Sequence, residues 1–196
     1  MKEETNDKQN RLLDNAFKLF TKKGVTDTSI QEIVDSANVA KGTFYLYFKD
    51  KYEIRDILIY KKSKKLFNNA LKDLRKAQIK GLPEQVIFIV NHVIDAFVKD
   101  PLLLKFISKN LSWGIYNQTI NKIYKTSSED DSGVLQLFLK GVQESNYKLE
   151  NPEVTLYMII ELVSSTCFSS ILYDNPLPIE KYKPILFNAI KKLINE

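Results

Sequence analysis

Residues that build disulfide frameworks and zinc sites are scarce in this sequence. Among 196 residues there is a single cysteine, Cys167, and a single histidine, His92. One cysteine cannot close an internal disulfide bond, and a structural Cys/His zinc site needs several such ligands. We therefore predict no disulfide framework and no metal site, and we interpret His92 as structural or as an incidental pocket wall.

Glycine and proline are scarce as well, with six of each. No stretch alternates apolar and polar residues as a half-buried strand does, and apolar residues recur instead at helical spacing nearly everywhere. Hydrophobic residues make up 44% of the chain, which is enough for a core. The sequence therefore predicts an all-α fold with short connections.

Long apolar runs and signal segments are also missing. No apolar stretch reaches the ~18 residues of a membrane-spanning helix. The first ten residues, MKEETNDKQN, are polar and mixed in charge, unlike a signal peptide. We therefore expect no membrane span and a cytoplasmic location.

Catalytic motifs are absent from the chain. The sequence has no glycine-rich phosphate loop, no HExxH pair and no nucleophile motif. We therefore predict no catalytic residues, no cofactor and no enzymatic activity.

Positive charge is concentrated in the first part of the chain. Residues 1–80 hold 18 Lys and Arg against 11 Asp and Glu, a net charge of +7, whereas residues 81–196 hold 11 against 13, a net charge of −2. Lysines on solvated faces produce such an excess too. A basic N-terminal part is nevertheless the electrostatic footprint expected of a DNA-binding protein.

The stretch from Thr28 to Lys51 carries the most informative pattern. Thr28 and Gln31 fit a capping box, in which each side chain bonds the backbone N–H of the other residue. The apolar residues that follow lie on one helical face, Ile30, Ile33, Val34 and Ala37. Asn38 tolerates a left-handed turn, and a second short helix is expected from about Val39. Two short helices joined in this way form a helix-turn-helix, whose second helix fits the DNA major groove.

Residues 39–51, VAKGTFYLYFKDK, resemble the signature of TetR-type transcriptional repressors, roughly Gly-Val-Ser-x-Gly-Thr-aromatic/Leu-Tyr-x-Tyr-Phe-x-x-Lys. Asn38 stands where that pattern has Gly, and both residues allow a left-handed turn. Ala40 stands where it has Ser, so a hydroxyl that could cap the second helix is missing. The resemblance covers about the first quarter of the chain. It implies a three-helix DNA-binding domain, double-stranded operator DNA as a partner, and a homodimer formed through the two C-terminal helices.

Position within the motif suggests a role for each side chain. Thr28 and Ser29 lie at a helix N-terminus, which suits phosphate contacts. In the second helix, Lys41 suits guanine, Thr43 suits a thymine methyl group, and Gly42 lets the backbone approach the duplex. Phosphate contacts are also expected from Tyr45, Tyr47 and Lys51, as the resemblance implies. Core packing is the alternative for Tyr47, and it is the role expected of Phe44, Leu46 and Phe48.

The motif also predicts the division of the chain. We expect a DNA-binding domain over residues 1–50, with its first helix over about 6–23, and a helical ligand-binding and dimerisation domain over residues 51–196. A connecting helix over residues 51–80 begins the second domain and ends at Gly81-Leu82-Pro83. Further helices are predicted over 83–99, 101–112, 115–125, 127–145, 151–173 and 184–194, with an N-cap and acidic residues at 127–131 and Pro184 opening the last helix.

The last two helices of the body are the predicted dimer interface. The residues assigned to it are Ser165, Phe168, Ser169, Leu172, Leu186, Ile190 and Leu193. Small serines would permit a close approach of helices, and the leucines and isoleucine would supply apolar area. Packing within one chain is the alternative explanation of the same pattern. Helix-turn-helix proteins commonly bind as dimers because one short helix reads few bases.

An inducer cavity in the body is the last prediction. The candidate lining residues are Phe97, Phe106, Trp113, Tyr116, Tyr157, Glu161 and Cys167. Core packing is the alternative for the aromatic residues, and solvent exposure or a pair with Lys is the alternative for Glu161. The sequence thus predicts a dimeric repressor released from operator DNA by a small hydrophobic or aromatic molecule. The alternative is a regulator of the same fold that takes a protein partner or no ligand.

Overall fold

The computed structural model describes residues 2–116, 133–145 and 147–195, with side chains from residue 7 onward. Over these residues the chain is helical and contains no strand, so the predicted all-α class is confirmed. The helices are α1 (Lys2–Lys23), α2 (Ile30–Ala37), α3 (Lys41–Tyr47), α4 (Lys51–Ala77), α5 (Leu82–Lys99), α6 (Pro101–Ile107), a 3-10 turn (Ser108–Asn110), α7 (Leu111–Tyr116), α8 (Val134–Gln143), α9 (Pro152–Tyr173) and α10 (Ile179–Asn195).

Two compact units share the chain, residues 1–61 and residues 62–196. The division falls inside α4, so this helix supplies residues to both units. The domain border predicted between residues 50 and 51 coincides instead with the start of α4. As a functional border it stays a prediction.

The first unit is built around the helix-turn-helix. Helix α1 packs against α2 and α3, and α2 packs against α3. The buried side chains include Leu12, Leu13, Ala16, Phe20, Ile33, Val34, Ala37, Phe44 and Phe48, with Ile54, Ile57 and Leu58 from α4. These residues follow the helical spacing read from the sequence, so α1, α2, α3 and the first turns of α4 share one apolar core.

The capping box of α2 lies one residue later than predicted. Ser29 is the N-cap: its hydroxyl accepts from Glu32 N at 3.2 Å, and Glu32 Oε2 accepts from Ser29 N at 2.9 Å. Thr28 is buried instead, and its hydroxyl donates to Gly24 O at 2.7 Å. Gln31 donates to Asp35 rather than to the helix N-terminus. The predicted Thr28–Gln31 box is therefore wrong, because the Thr28 hydroxyl already satisfies the preceding turn.

The turn between α2 and α3 follows the sequence closely. Asn38 adopts a left-handed conformation with φ 51° and ψ 55°, and its N–H bonds back to Val34 O and Asp35 O. Ala40 is the N-cap of α3 and provides no side-chain hydrogen bond. Both outcomes match the expectations for these two departures from the TetR pattern.

The second unit is organised on α5 and α9. Each of these helices packs against the other, against α8 and against α10. Between α5 and α10, Lys183 Nζ lies 2.6 Å from Asp95 Oδ1 and Lys191 Nζ lies 3.1 Å from Glu84 Oε1. These charged pairs join α5 and α10 at the edge of their apolar contact.

Some predicted helix boundaries differ from those observed. Pro184 lies inside α10, which begins five residues earlier at Ile179, so it does not open that helix. The predicted helix over 101–112 is divided by the 3-10 turn. The N-cap predicted at 127–131, and all but the first two residues of the helix predicted over 115–125, lie outside the described residues.

Removing the Ser29 cap tests the corrected capping box. We expect Ser29→Ala to lower the free energy of unfolding by about 1 kcal/mol, since the Glu32 N–H loses its acceptor and Glu32 Oε2 loses the hydrogen bond from the Ser29 hydroxyl. Gln31→Ala serves as the matched control, because its side chain bonds only to exposed Asp35. Urea denaturation followed by circular dichroism measures both variants. Equal losses for the two would contradict the assignment.

Candidate functional site

Helix α3 presents one outward pole to solvent. Phe44 is fully buried and anchors the helix, with its ring centroid 5.7 Å from that of Phe48. At about 100° per residue, Gly42 and Leu46 lie nearly opposite Phe44, one turn apart from each other. Both are exposed. The pole that α3 offers to a partner is therefore defined by these two residues.

The predicted base-reading residues lie beside this pole. Lys41 is exposed on one flank together with Tyr45, which is 54% exposed. Thr43 and Tyr47 are half-buried on the other flank. The structure therefore brings all four predicted side chains to one helix, with Lys41 and Tyr45 the more accessible pair.

Gly42 has no role in folding that the described residues reveal. Its φ is not positive, and no atom beyond its own helical turn lies within 4 Å of where a Cβ would stand. Glycine inside a helix costs about 0.5–1 kcal/mol relative to alanine. A glycine that is unfavourable for the helix yet faces open solvent is consistent with the close approach of a partner from outside.

The two hydroxyls predicted to bind phosphate are otherwise engaged. The side chain of Thr28 is 1% exposed. Ser29 is exposed, but its hydroxyl donates to Glu32 Oε2 at 2.8 Å while accepting from Glu32 N. The ion pair with Lys23 and the bonds from Ser29 lower the pKa of Glu32 to about 2, so an anionic carboxylate occupies this helix N-terminus. A phosphate would meet that negative charge, which counts against both predicted contacts.

Lys51 links two segments of the first unit. Its ammonium donates to Thr26 O at 2.7 Å and to Thr28 O at 2.8 Å, which ties the start of α4 to the loop before α2. The side chain is half-buried, and its Nζ also lies 5.5 Å from the centroid of the Tyr52 ring. Lys51 is therefore first a positioning residue. The phosphate contact assigned to it stays a prediction.

Leu46 was misplaced by sequence reasoning. The prediction put it in the small core, but it is 80% exposed. A helical wheel could have found it, because a residue two positions after buried Phe44 points to the opposite side. Its apolar character suggested burial, and position along the helix decided otherwise.

A small cavity lies in the core of the second unit. Its volume is about 30 Å³, and within the described part of the chain every side chain that lines it is apolar. The lining residues are Phe67, Val86, Ile89, Val90, Val93, Leu111, Val134, Leu137, Phe138, Leu156, Ile159, Ile160 and Val163. The lining side chains offer water no hydrogen-bond partner.

None of the seven residues predicted to line an inducer cavity lines this one. Phe97 and Cys167 are fully buried, each one turn beyond a lining residue, and burial raises the pKa of the Cys167 thiol to about 12. Glu161 accepts a short hydrogen bond from the Ser112 hydroxyl. The lining is mostly Val, Ile and Leu with Phe67 and Phe138, and in the sequence these residues have the spacing of an ordinary helical core.

The remaining predicted lining residues lie nearer the surface. Tyr116 donates to Glu153 O at 3.0 Å, and its ring centroid is 5.8 Å from that of Tyr157. Burial raises the pKa of Tyr116 to about 12. Phe106 and Trp113 are half-buried. In the described residues no group of three His, Cys, Asp or Glu side chains could hold a metal ion.

Helix α9 is apolar on its outward side as well as its inward side. Residues that are at least partly exposed recur at i, i+4, i+7, i+11 and i+14, namely Met158, Leu162, Ser165, Ser169 and Leu172. Leu162 and Leu172 also pack against the core. Among the described residues α9 alone is long and apolar enough to cross a membrane by composition, with 44% of its apolar window buried. A core helix of a water-soluble protein meets the same criterion.

Two residues predicted for the dimer interface belong to the core of the single chain. Leu186 and Ile190 are buried, together with Ile194 one turn on. Ile185 on the same helix is 57% exposed. The apolar stripe of α10 thus has a buried side and an exposed side, and the helical spacing alone did not predict which residues lie on which side. Ser165 is exposed, and Phe168, Ser169, Leu172 and Leu193 are half-buried.

Sequence comparisons point to one family. Residues 12–56 match the family described as "Bacterial regulatory proteins, tetR family". The HTH-type transcriptional regulator YerO of Bacillus subtilis is 46% identical over 46 residues, which are 24% of this chain and 16% of YerO. The HTH-type transcriptional regulator YhgD of the same organism is 23% identical over 170 residues, 83% of each chain. The stronger likeness therefore spans only a small part of the relative's length.

Solved structures share the whole fold. The transcriptional regulator FadR from Bacillus subtilis in complex with stearoyl-CoA has a TM-score of 0.65 and 19% identity, over 95% of this chain and 97% of that one. RolR in complex with the ligand resorcinol has a TM-score of 0.62 and 15% identity, over 99% and 90%. At these identities the likeness concerns the fold.

Gly42→Ala separates folding from partner binding. We expect the variant to be about 0.5–1 kcal/mol more stable than the wild type, because alanine favours the helix and its Cβ meets open space. Its DNA affinity should nevertheless fall, since the methyl group keeps the backbone from the duplex. Thermal denaturation and fluorescence anisotropy with a selected duplex measure the two effects. A gain in stability with unchanged affinity would contradict the close approach.

Proposed function

Because this chain belongs, through its N-terminal domain, to the tetR family of bacterial regulatory proteins, we propose that it is a dimeric transcriptional repressor released from operator DNA by an apolar ligand. The observation that carries the DNA-binding part is the outward pole of α3, where Gly42 and Leu46 face solvent between Lys41 and Thr43. We place the protein in the cytoplasm, as its target requires.

The proposed DNA contacts divide by chemistry. Lys41 donates to guanine and Thr43 touches a thymine methyl group in the major groove. Tyr45 and Tyr47 contact phosphates and set the register, while Lys51 mainly holds the loop before α2. Excess positive charge over residues 1–80 adds non-specific attraction that weakens with salt.

A homodimer is proposed through the outward faces of α9 and α10. The stripe on α9 has the small Ser165 at its middle, flanked by Met158 and Leu172 at its ends. Ile185 of α10 adds an exposed apolar side chain. Contiguous exposed apolar surface often marks a protein–protein interaction site. Two copies would present two α3 helices to half-sites about 34–36 Å apart.

Ser165→Glu tests the dimer without touching the core. We expect the variant to be folded but monomeric, since a charge buried at an apolar interface without a partner costs several kcal/mol. It should therefore lose tight binding to a two-half-site duplex. Analytical ultracentrifugation compares it with Asn69→Glu, which adds the same charge at an exposed site on α4. A dimeric Ser165→Glu would contradict this interface. Ile190→Glu would not distinguish loss of the dimer from loss of folding, because Ile190 is buried in the core and a charge there would unfold the protein.

The proposed ligand is apolar because the cavity offers no polar side chain among the described residues. Two structural neighbours are known in complex with stearoyl-CoA and with resorcinol. A cavity of about 30 Å³ is smaller than any such molecule, so binding requires its walls to move apart. A ligand then favours the expanded arrangement by its differential affinity.

Helix α4 couples the cavity to the DNA-binding unit in this proposal. Phe67 of α4 lines the cavity, and the same helix begins at Lys51, which ties to the loop before α2. Expansion around Phe67 would displace α4. In a dimer bound to fixed half-sites, a shift of a few ångströms costs contacts.

Reciprocal titration tests the ligand switch. We expect an apolar ligand to weaken DNA binding about 5–150-fold and DNA to weaken ligand binding by the same factor. Stearic acid and resorcinol are the first probes. Fluorescence of Trp113, the single tryptophan, is the readout, because the same helix α7 carries the lining residue Leu111. Equal ligand affinities with and without DNA would contradict the switch.

The small volume of the cavity also favours a second candidate function. A regulator of the same fold controlled by a protein partner, or by nothing, would need no larger cavity than this one. Val163→Ala enlarges the cavity. If this variant binds no apolar probe, the result favours the alternative.

A further inference from the structure

Leu46 is a large apolar side chain that is not buried on folding. It is 80% exposed, the highest value among the large hydrophobic residues exposed in the described chain. Neighbouring Phe44 and Phe48 are buried, so the small core is complete without it. Its exposure is therefore a property of where α3 points.

The surroundings of Leu46 place it at the centre of the proposed DNA-facing pole. Gly42 lies one turn before it on the same pole and presents no side chain, so nothing screens Leu46 from a surface that meets α3. Lys41 and Tyr45 flank it on one side, and Thr43 and Tyr47 on the other. A surface that approaches this pole of α3 would therefore contact Leu46.

We propose that Leu46 is a specificity-determining residue that packs against a thymine methyl group of the operator. This inference rests on the proposed DNA-binding function. Thymine alone among the four bases offers an apolar group in the major groove, so an apolar side chain at the floor of the contact favours it. The hydrogen-bonding residues beside Leu46 read neighbouring positions.

The experiment replaces thymine by deoxyuridine, which differs only in lacking the methyl group. Duplexes are first selected from a random library with the full-length wild type, and each thymine of the selected site is then replaced in turn. Loss of the contact should weaken wild-type binding about fourfold per half-site, the effect of one buried methyl group. Fluorescence anisotropy measures each duplex.

Leu46→Ala completes the cycle. This variant should bind the thymine and deoxyuridine duplexes equally at the position that matters for the wild type, and its own selected site should be relaxed there. Leu102→Ala, which truncates an exposed leucine of the second unit, should keep the wild-type pattern. Circular dichroism confirms folding, which the exposure of Leu46 predicts to be unchanged.

Each outcome has a separate meaning. A methyl effect that persists in Leu46→Ala, or no methyl effect at any thymine in the wild type, would overturn the role of Leu46 while leaving DNA binding intact. An equal loss by Leu46→Ala on all duplexes, random ones included, would overturn sequence reading by this residue. Failure of the wild type to select any duplex would overturn the proposed function itself.

Discussion

Burial of Phe44 is the constraint on which the proposed DNA-reading surface depends. A helix of seven residues has little stability of its own, and its rotation about its axis is set by the single side chain that it buries. With Phe44 turned inward against the core of the first unit, Gly42 and Leu46 must face out. Lys51 also stabilises the helix-turn-helix, because its hydrogen bonds to the carbonyls of Thr26 and Thr28 hold the loop that precedes α2.

The helix-turn-helix could be predicted from sequence because its signals are local. Apolar spacing, a left-handed Asn38 and short helices depend on residues that are close in the chain. The N-cap residue of α2 could not be predicted in this way. Residues 28 and 31 fit the capping-box pattern, and residues 29 and 32 fit it equally well. The path of the preceding loop decides between them by burying Thr28 against Gly24 O. The same limit explains the wrong prediction for Leu46. Its apolar side chain suggested a place in the core, but the orientation of α3 about its axis turns it outward.

In the second unit the sequence indicated apolar helices correctly but not which face turns inward. Leu186 and Ile190 satisfy an interface pattern and a core pattern equally well, and the packing of α10 on α5 and α9 selects the core. The cavity was missed for a related reason. It arises where ordinary core side chains fail to fill space, and a void has no residue signature. The prediction relied on aromatic residues, whereas the lining of this cavity is mostly Val, Ile and Leu, with Phe67 and Phe138.

Two local rules of folding are broken in the first unit, and both exceptions fall on the same pole of one helix. Gly42 weakens α3 where alanine would fit, and Leu46 exposes apolar surface where a polar side chain would be more soluble. Neither has a partner in the described chain that would explain it. Natural sequences violate such rules chiefly at functional sites. Their coincidence on one surface is therefore an argument for an external partner there that is independent of the family resemblance, because it uses burial and open space rather than matched residues.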